Sequence, residues 1–286
     1  MTEILSKRSI DEQITENLVD RVVTLCEQAG QAILEVYQCH DGIEVDYKAD
    51  DSPLTQADLA AHKILSSALE AIYADVHVVS EESALPPFEQ RQQWSTYWLI
   101  DPLDGTKEFI NRNGEFTVNV ALIHQGRPVL GVVHVPVQAI TYTGARGLGA
   151  TKRSPTQTHN INVRSLQDRQ QQGLSIDVVA SRRHGSDQLQ QALAKLKNQF
   201  GEIDTLSMGS SLKFCVVAEG KADIYPRLAP TSEWDTGAAQ AVVEAAGGIV
   251  VDANFQTLSY NQKSDILNPH FYVFGDKNWD WQAILG

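Results

Sequence analysis

Two aspartates directly follow an apolar run in the segment WLIDPLDGTKEF, residues 98–109. Pro102 disfavours a helical conformation for the residue before it, so the run is predicted to be a strand that extends to Asp101. Pro102 also suits the second position of a tight turn, which would bring the α carbons of Asp101 and Asp104 to within about 7 Å. Two carboxylates at that separation repel each other unless a cation lies between them. The pair therefore either forms a simple turn that caps a helix or belongs to a site that binds a cation.

Further acidic segments favour the cation. Glu81 and Glu82 follow the apolar run VHVVS, Asp235 lies in WDTGAA at the start of a predicted apolar helix, and Asp58 lies in SPLTQAD. Alone, each of these residues fits a solvated loop or a helix N-cap. Together they supply more carboxylate than capping requires, and such hard oxygen ligands suit Mg²⁺, whose paired ions in phosphoryl-transfer sites lie roughly 3.5–4 Å apart. Gly105 and the predicted helix start at TKEFI add free amides of the kind that bind phosphate.

The bulk composition excludes several classes of partner. The chain has 286 residues and a formal net charge of −13, so its surface repels nucleic acids and anionic lipids. Cys26, Cys39 and Cys215 are odd in number and show no CxxC spacing, which predicts free thiols in a reducing cytoplasm rather than a zinc site. No apolar stretch approaches the roughly 18 residues of a membrane span, and MTEILSKRSIDEQ lacks the apolar core of a secretory signal. We therefore expect a cytoplasmic protein with no nucleic-acid partner and no transmembrane segment.

Periodicity predicts two lobes. The first, residues 1–155, combines helices with hairpin-joined strands, and the second, residues 156–286, is α/β. The polar stretch TKRSPTQTHN, residues 151–160, is the predicted boundary. In the first lobe we predict helices over about 18–36 and 56–73 and strands at 76–79, 97–100, 116–123 and 129–135. In the second we predict strands at 176–181, 222–227 and 248–251 and helices at 186–199, 210–220 and 235–246.

The acidic segments also carry a family resemblance. DPLDGT, preceded by SEES and followed by WDTGAA, resembles the metal-dependent sugar phosphatase superfamily that includes inositol monophosphatase and fructose-1,6-bisphosphatase. The segments WLIDPLDGTKEFINRNGEFTVNVALI, GSSLKFCVVAEGKADIYPR and WDTGAA are more narrowly similar to the 3′(2′),5′-bisphosphate nucleotidases of the CysQ type. The similarity covers nearly the whole chain with the segments in the family's order. It implies an α/β fold, layered as an α-β-α-β-α sandwich of two lobes with the metals between them.

The resemblance implies a set of magnesium ligands. The first ion would be held by Glu81, Asp101 and the main-chain carbonyl of Leu103. The second would be held by Asp101, Asp104 and Asp235, with Asp101 as the bridge. Two Mg²⁺ ions per chain are implied, and a third stays open.

The resemblance also assigns catalytic and substrate-binding residues. Asp58, Glu81 and Thr106 would act around the attacking water, which Thr106 would orient. The implied substrate-binding residues are Gly105, Thr106, His184, Ser210, Lys213, Arg227 and Asp235. The chain departs from the family pattern at Ser80, where glycine often stands, and in the order WDTGAA. Both departures affect packing and backbone freedom rather than a ligand.

These roles imply in-line hydrolysis of a phosphate monoester without a side-chain nucleophile. We expect the substrate to be adenosine 3′,5′-bisphosphate, which would give AMP, with PAPS to APS as a further reaction and with inhibition by lithium. An inositol monophosphatase or inositol polyphosphate 1-phosphatase is the alternative enzyme, and a nucleotide-binding protein without turnover is the alternative from another class. The sequence leaves open the oligomeric state. It also leaves open the peripheral attachment to the cytoplasmic face of the inner membrane that some bacterial relatives suggest.

Overall fold

The computed structural model describes residues 9–39, 45–48, 52–180 and 186–286. Its helices are α1 (Ile10–Gln13), α2 (Glu16–Tyr37), α3 (Gln56–Ile72), α4 (Phe88–Arg91), α5 (Thr106–Ile110), α6 (Leu166–Gln171), α7 (Asp187–Phe200), α8 (Leu212–Ala218), α9 (Gly237–Ala245) and α10 (Trp281–Leu285). Its strands are β1 (Val45–Tyr47), β2 (Pro53–Thr55), β3 (His77–Ser80), β4 (Thr96–Asp104), β5 (Thr117–His124), β6 (Arg127–Val135), β7 (Ile140–Ala145), β8 (Gly149–Arg153), β9 (Thr158–Ile161), β10 (Ile176–Ala180), β11 (Ile203–Ser207), β12 (Ile224–Arg227), β13 (Ile249–Asp252) and β14 (Phe271–Phe274). Single 3₁₀ turns span Pro136–Gln138 and Glu233–Asp235.

Most of the strands belong to two large sheets. The seven-stranded sheet has the order β3-β4-β5-β6-β7-β8-β9, in which β3 and β4 are parallel and the other pairs are antiparallel. The five-stranded sheet has the order β11-β10-β12-β14-β13. There β10 is parallel to β11 and β12, whereas β14 is antiparallel to both of its neighbours. The second sheet is therefore mixed. A separate hairpin joins β1 and β2.

Three hydrophobic cores lie within five layers of secondary structure, because the second core occupies both sides of the middle helical layer. The first core lies between the helices α2 and α3 and one face of the seven-stranded sheet. The second lies between the two sheets and surrounds α8 and α9. The third lies under α6, α7 and α10 on the outer face of the five-stranded sheet. Each layer buries an apolar face against the next, and the expected α-β-α-β-α sandwich is confirmed.

The helix α2 shows how the sequence produces the first layer. Val22, Cys26, Ala29 and Ile33 lie three or four residues apart and are completely buried. Thr15 caps the helix, because its side chain accepts a hydrogen bond from the N–H of Leu18. Neither this helix nor any other among the described residues is long and apolar enough to cross a membrane.

The helix α9 packs directly against the backbone of the seven-stranded sheet. A Cβ at Gly131 would lie 2.1 Å from the carbonyl oxygen of Ala238, and a Cβ at Gly144 would lie 2.4 Å from the Cα of Val242. Only glycine permits this approach. The helix predicted to begin at Asp235 begins at Gly237 instead, because residues 233–235 form a 3₁₀ turn. The close packing therefore fixes where the turn that carries Asp235 meets the sheet.

The lobe boundary expected at 155/156 falls inside the hairpin that joins β8 and β9. The stretch 151–160 pairs with itself, from Thr151 opposite Asn160 to Arg153 opposite Thr158, so it is a hairpin rather than a linker. Its polarity arises because β9 is an exposed edge strand. The sheet of the first lobe extends to Ile161.

Candidate metal centre and substrate cavity

The segment that carries Asp101 and Asp104 continues as a strand. Asp101 pairs with Asn119 and Asp104 pairs with Thr117, so three steps along β4 match two steps along β5. The extra residue forms a β-bulge, to which Pro102 is suited because it has no N–H to donate to the ladder. The tight turn expected at Pro102 is therefore wrong. The bulge changes the direction of the strand at the point where it carries both aspartates.

Three carboxylates from separate elements meet at this bulge. Glu81 follows β3, Asp101 lies on β4 and Asp235 ends the 3₁₀ turn before α9. One oxygen from each of the three lies within 4.8 Å of the others. Burial, followed by the neighbouring acids, raises the pKa of Asp101 and of Asp235 well above the ordinary range. Burial also raises the pKa of Glu81, against the lowering effect of a nearby lysine. When ionised together, these groups repel one another.

The chemistry of this carboxylate cluster fits a hard divalent cation. All three donors are carboxylate oxygens, the ligands that Mg²⁺ prefers. Among the residues that the structure describes, neither Asp101 nor Asp235 forms an ion pair with a lysine or arginine. A cation at this point would remove the repulsion.

The three carboxylates line a cavity of about 190 Å³, and Leu103 and Asp104 line it too without being part of the three-carboxylate cluster. The N–H of Leu103 donates to Oδ1 of Asp101 at 3.0 Å, which orients that carboxylate. Asp104 accepts hydrogen bonds on Oδ2 from the N–H of Ser211 at 2.7 Å and the hydroxyl of Ser210 at 2.8 Å. The roles of Asp104 and of the Leu103 carbonyl as cation ligands stay predictions.

Asp58 and Thr106 lie together beside the cluster, as the resemblance implies for the catalytic pair. The Thr106 hydroxyl donates to Oδ1 of Asp58 at 3.2 Å. The other oxygen of Asp58 accepts from the N–H and the hydroxyl of Thr55, at 2.7 and 2.6 Å, and so completes the capping box of α3. Gly105, with φ of 96°, is the residue that lets the chain leave the bulge and enter α5 at Thr106.

Lys48 is a site residue that the sequence reasoning missed. Its Nζ donates to Oε1 of Glu81 at 2.8 Å and to Oε1 of Glu82 at 2.7 Å. Its partners are 33 and 34 residues away, so the segment VDYK carries no local signal of this contact. Ser80, one of the departures from the family pattern, accepts a hydrogen bond on its hydroxyl from the N–H of Glu82 at 3.2 Å and thereby orders the turn after β3.

A second cavity, of about 250 Å³, adjoins the one at the cluster, and Asp104, Gly105 and Asp235 line both. Its walls combine cationic with aromatic side chains. The lining residues of these two kinds are Lys107, Lys213, Arg227, Phe214, Tyr225 and Phe271.

Apart from Thr106, which lines the smaller cavity at the carboxylate cluster, the described residues expected to contact a substrate line this larger cavity. Lys213 is 7% exposed, its Nζ donates to the carbonyl of Ser210 at 2.6 Å, and burial lowers its pKa to about 8. Arg227 donates through Nη2 to the carbonyl of Pro230 at 2.8 Å, while its buried Nε has no partner among the described residues. Ser210 has a left-handed φ of 51° and its hydroxyl is bonded to Asp104. Contact of these residues with a substrate stays a prediction, and His184 lies outside the described residues.

The layered fold, with a carboxylate cluster built from both halves of the chain, places this protein in the class of layered α/β sugar phosphatases. The chain belongs to the inositol monophosphatase family, whose model matches residues 15–282. It is 48% identical over 256 residues to the 3′(2′),5′-bisphosphate nucleotidase CysQ of Salmonella typhimurium, a match that covers 90% of this chain and 99% of the relative. The protein of the same name from Haemophilus influenzae is 34% identical, over 95% of this chain and 98% of the relative. The resemblance to the CysQ type is thus confirmed.

Solved structures agree with this assignment. CysQ from Bacteroides thetaiotaomicron, described as a bacterial member of the inositol monophosphatase family, superposes with a TM-score of 0.79 at 39% identity. The match covers 91% of this chain and 97% of that one. An inositol monophosphatase from Zymomonas mobilis has a TM-score of 0.72 at 23% identity, over 97% of this chain and 98% of that one, and shows the shared fold.

Proposed function

We propose that this protein is a Mg²⁺-dependent phosphomonoesterase that hydrolyses adenosine 3′,5′-bisphosphate to AMP and phosphate. The observation that carries the proposal is that the carboxylate cluster lies next to the cavity lined by Lys213 and Arg227. Asp235 belongs to the cluster and also lines that cavity. The relatives named as 3′(2′),5′-bisphosphate nucleotidases support the same reaction.

The cation would be held by Glu81, Asp101 and Asp235. We propose that Asp104 and the carbonyl of Leu103 complete the positions for two Mg²⁺ ions, with a third left open. When bound, the ions supply Lewis acidity, which activates water and neutralises charge on the phosphoryl oxygens.

Asp58 and Thr106 are proposed to take the proton of the attacking water. Because Thr106 donates its own hydrogen to Asp58, the lone pairs of its hydroxyl are free to accept a hydrogen bond from that water. The capping box holds Asp58 in place through Thr55. Burial raises the pKa of Asp58 in spite of these hydrogen bonds, and a carboxylate with a raised pKa is a stronger general base.

The cavity favours a nucleotide over an inositol phosphate. Phe214, Tyr225 and Phe271 are each at most 3% exposed, so the cavity offers a substrate chiefly its cationic side chains, Lys213 and Arg227. Arg227 suits a second phosphate group, because its planar guanidinium carries several donors and lines the cavity. We propose that His184 adds a contact to the base or the 5′-phosphate, and that PAPS is also accepted and gives APS.

Phosphate release from the purified protein tests this function. Adenosine 3′,5′-bisphosphate, PAPS and inositol 1-phosphate are each supplied with Mg²⁺, and the Asp101→Asn variant serves as the control for contaminating phosphatases. We expect release from the nucleotides in the wild type alone. Release only from inositol 1-phosphate would identify the alternative enzyme, and release from none of the three would reject the enzyme.

Two further expectations belong to this proposal. Lithium should inhibit by replacing the second magnesium. A cytoplasmic location is supported by the free thiols of Cys26, Cys39 and Cys215.

A further inference from the structure

The carboxylate of Asp104 has two unequal oxygens. Among the described residues, the donors that reach it converge on Oδ2: the N–H of Ser211 at 2.7 Å, and the hydroxyls of Ser210 and Ser211, each at 2.8 Å. The Nδ2 of Asn119 adds a longer contact of 3.3 Å to the same oxygen. These contacts saturate Oδ2 and leave the lone pairs of Oδ1 available to a cation.

Asn119 is the centre of this arrangement on the sheet side. It is 1% exposed and lies on β5 directly opposite Asp101. Its Oδ1 accepts from the hydroxyl of Thr117 at 3.0 Å, and its Nδ2 donates to the hydroxyl oxygen of Ser211 at 2.9 Å. Because both ends of the amide have partners, the orientation of Asn119 is fixed, and a buried side chain that could not replace these bonds would leave its neighbours unpaired.

Ser211 makes the corresponding contact from the second lobe. It is 2% exposed and precedes α8. Its hydroxyl lies 2.8 Å from Oδ2 of Asp104 and 2.9 Å from the main-chain carbonyl of Asp235. A single side chain thus joins the bulge, the 3₁₀ turn that carries Asp235 and the 209–211 segment of the substrate cavity.

We infer that Asn119 and Ser211 are positioning residues of the cation site. They hold Asp104 so that one oxygen remains for the ion, and they connect the wall of the substrate cavity to that ligand. The inference rests on the proposed function, since it takes the cluster to bind a cation. Loss of either residue should therefore weaken Mg²⁺ binding and raise KM together, whereas a purely structural role would lower only stability.

Isothermal titration of MgCl₂ into chelator-treated protein tests this role without turnover. Ser211→Ala and Asn119→Leu should each weaken Mg²⁺ affinity by about 10- to 100-fold, the usual loss when a residue that orients a metal ligand is removed. Ser211→Thr keeps the hydroxyl and should restore the affinity. Thr143→Val is the matched control, because Thr143 is 6% exposed on the same sheet and its hydroxyl, among the described residues, bonds within that sheet to Thr151. Circular dichroism and Tm establish that each variant is folded, and KM for adenosine 3′,5′-bisphosphate is measured in parallel.

Three results would overturn the inference. The first is wild-type Mg²⁺ affinity in both folded variants, and the second is an equal loss of affinity in Thr143→Val. The third is a wild type that binds no Mg²⁺. If the wild type binds Mg²⁺ but releases no phosphate, the proposed function fails, while the titration still decides the positioning role.

Discussion

The protein buries two groups of aspartates in different ways. In the second lobe, Asp223 has a completely buried side chain and accepts two hydrogen bonds from Arg164, at 2.6 and 2.5 Å. Asp177, beside it, pairs with Arg164 and with Arg169. In the candidate site, by contrast, Asp101 has no such arginine among the described residues.

This difference distinguishes the acids that stabilise the fold, Asp177 and Asp223, from the acids that are suited to bind a cation, Asp101 and Asp235. The buried charge of Asp223 is neutralised by a fixed guanidinium in a bidentate geometry, so the pair is complete in the chain itself. Among the described residues no lysine or arginine forms an ion pair with Asp101 or Asp235, so a cation that enters from solvent would compensate their charges. Lys48 reaches the edge of the cluster at Glu81 but does not pair with the two aspartates. Burial of an acid thus marks a functional site only where its counter-ion is missing.

The largest expected effect is on turnover. Asp101→Asn or Asp235→Asn should reduce kcat by more than the 10- to 100-fold of an outer residue, on the order of 10³-fold, because each removes a proposed cation ligand. Stability should be kept, since the amide oxygen can still accept from the N–H of Leu103 or of Ser232 and the repulsion is relieved. Phosphate release and Tm are measured on the same preparations. Activity near the wild-type level in either variant would contradict the ligand assignment.

The second largest effect is on stability and concerns the aspartates that pair with arginines. Asp223→Asn leaves Arg164 partly buried with one charged partner fewer, and breaking a buried pair in this way costs about 3 kcal/mol. Urea unfolding should show this loss, while kcat of the folded fraction stays unchanged. A variant that unfolds with the wild-type midpoint would show that the charge of Asp223 contributes nothing to stability.

The third effect is the stabilisation of the folded protein by Mg²⁺, which should depend on the carboxylate cluster and not on the arginine-paired aspartates. Mg²⁺ at 100 times its Kd should stabilise the wild type by about 2.7 kcal/mol, because it binds the folded state. Arg169→Gln, which alters only the arginine-bound group, should keep this increment, and Asp101→Asn should lose most of it. Thermal unfolding with and without Mg²⁺ measures both. Equal stabilisation of all three proteins would place the cation elsewhere.

The cluster could be predicted from sequence because each of its three acids stands next to an apolar segment. Glu81 and Asp101 directly follow apolar runs, and Asp235 precedes an apolar helix, so their positions are set by local patterns. The layered fold followed from the resemblance, not from periodicity alone. The polarity of the segment 151–160 predicts a linker, but the segment is an exposed edge hairpin, which has the same polarity.

What could not be predicted depends on contacts between distant residues. Asn119 and Ser211 are 92 residues apart, and their hydrogen bond exists only once two lobes have packed together. A weak signal was present, since Thr117 and Asn119 interrupt the apolar strand at alternate positions and so share a face. The bulge at Pro102 escaped prediction because a proline suits a tight turn and an irregular strand equally well.

The smallest expected effect is on the pH dependence of stability, which should have opposite directions for Asp101 and His134. The pKa of Asp101 is raised by burial and by neighbouring acids, so the folded state holds its proton more tightly than the unfolded state. In chelator, its contribution to stability is therefore full below the unfolded pKa and is lost as the pH rises through the folded pKa. The Asp101→Asn variant should be more stable than the wild type at neutral pH, and this advantage should disappear on acidification.

His134 should show the opposite pH dependence. Burial lowers its pKa to about 4, so the stability that neutral His134 gives the wild type is lost as the pH falls from 6.5. Relative to the wild type, His134→Gln should therefore become more stable as the pH falls, over the range in which Asp101→Asn loses its advantage. Urea unfolding between pH 7.5 and about 4.5, which spans the ordinary histidine pKa, measures both differences, and parallel trends in the two variants would refute the assignment of a repelling charge to Asp101.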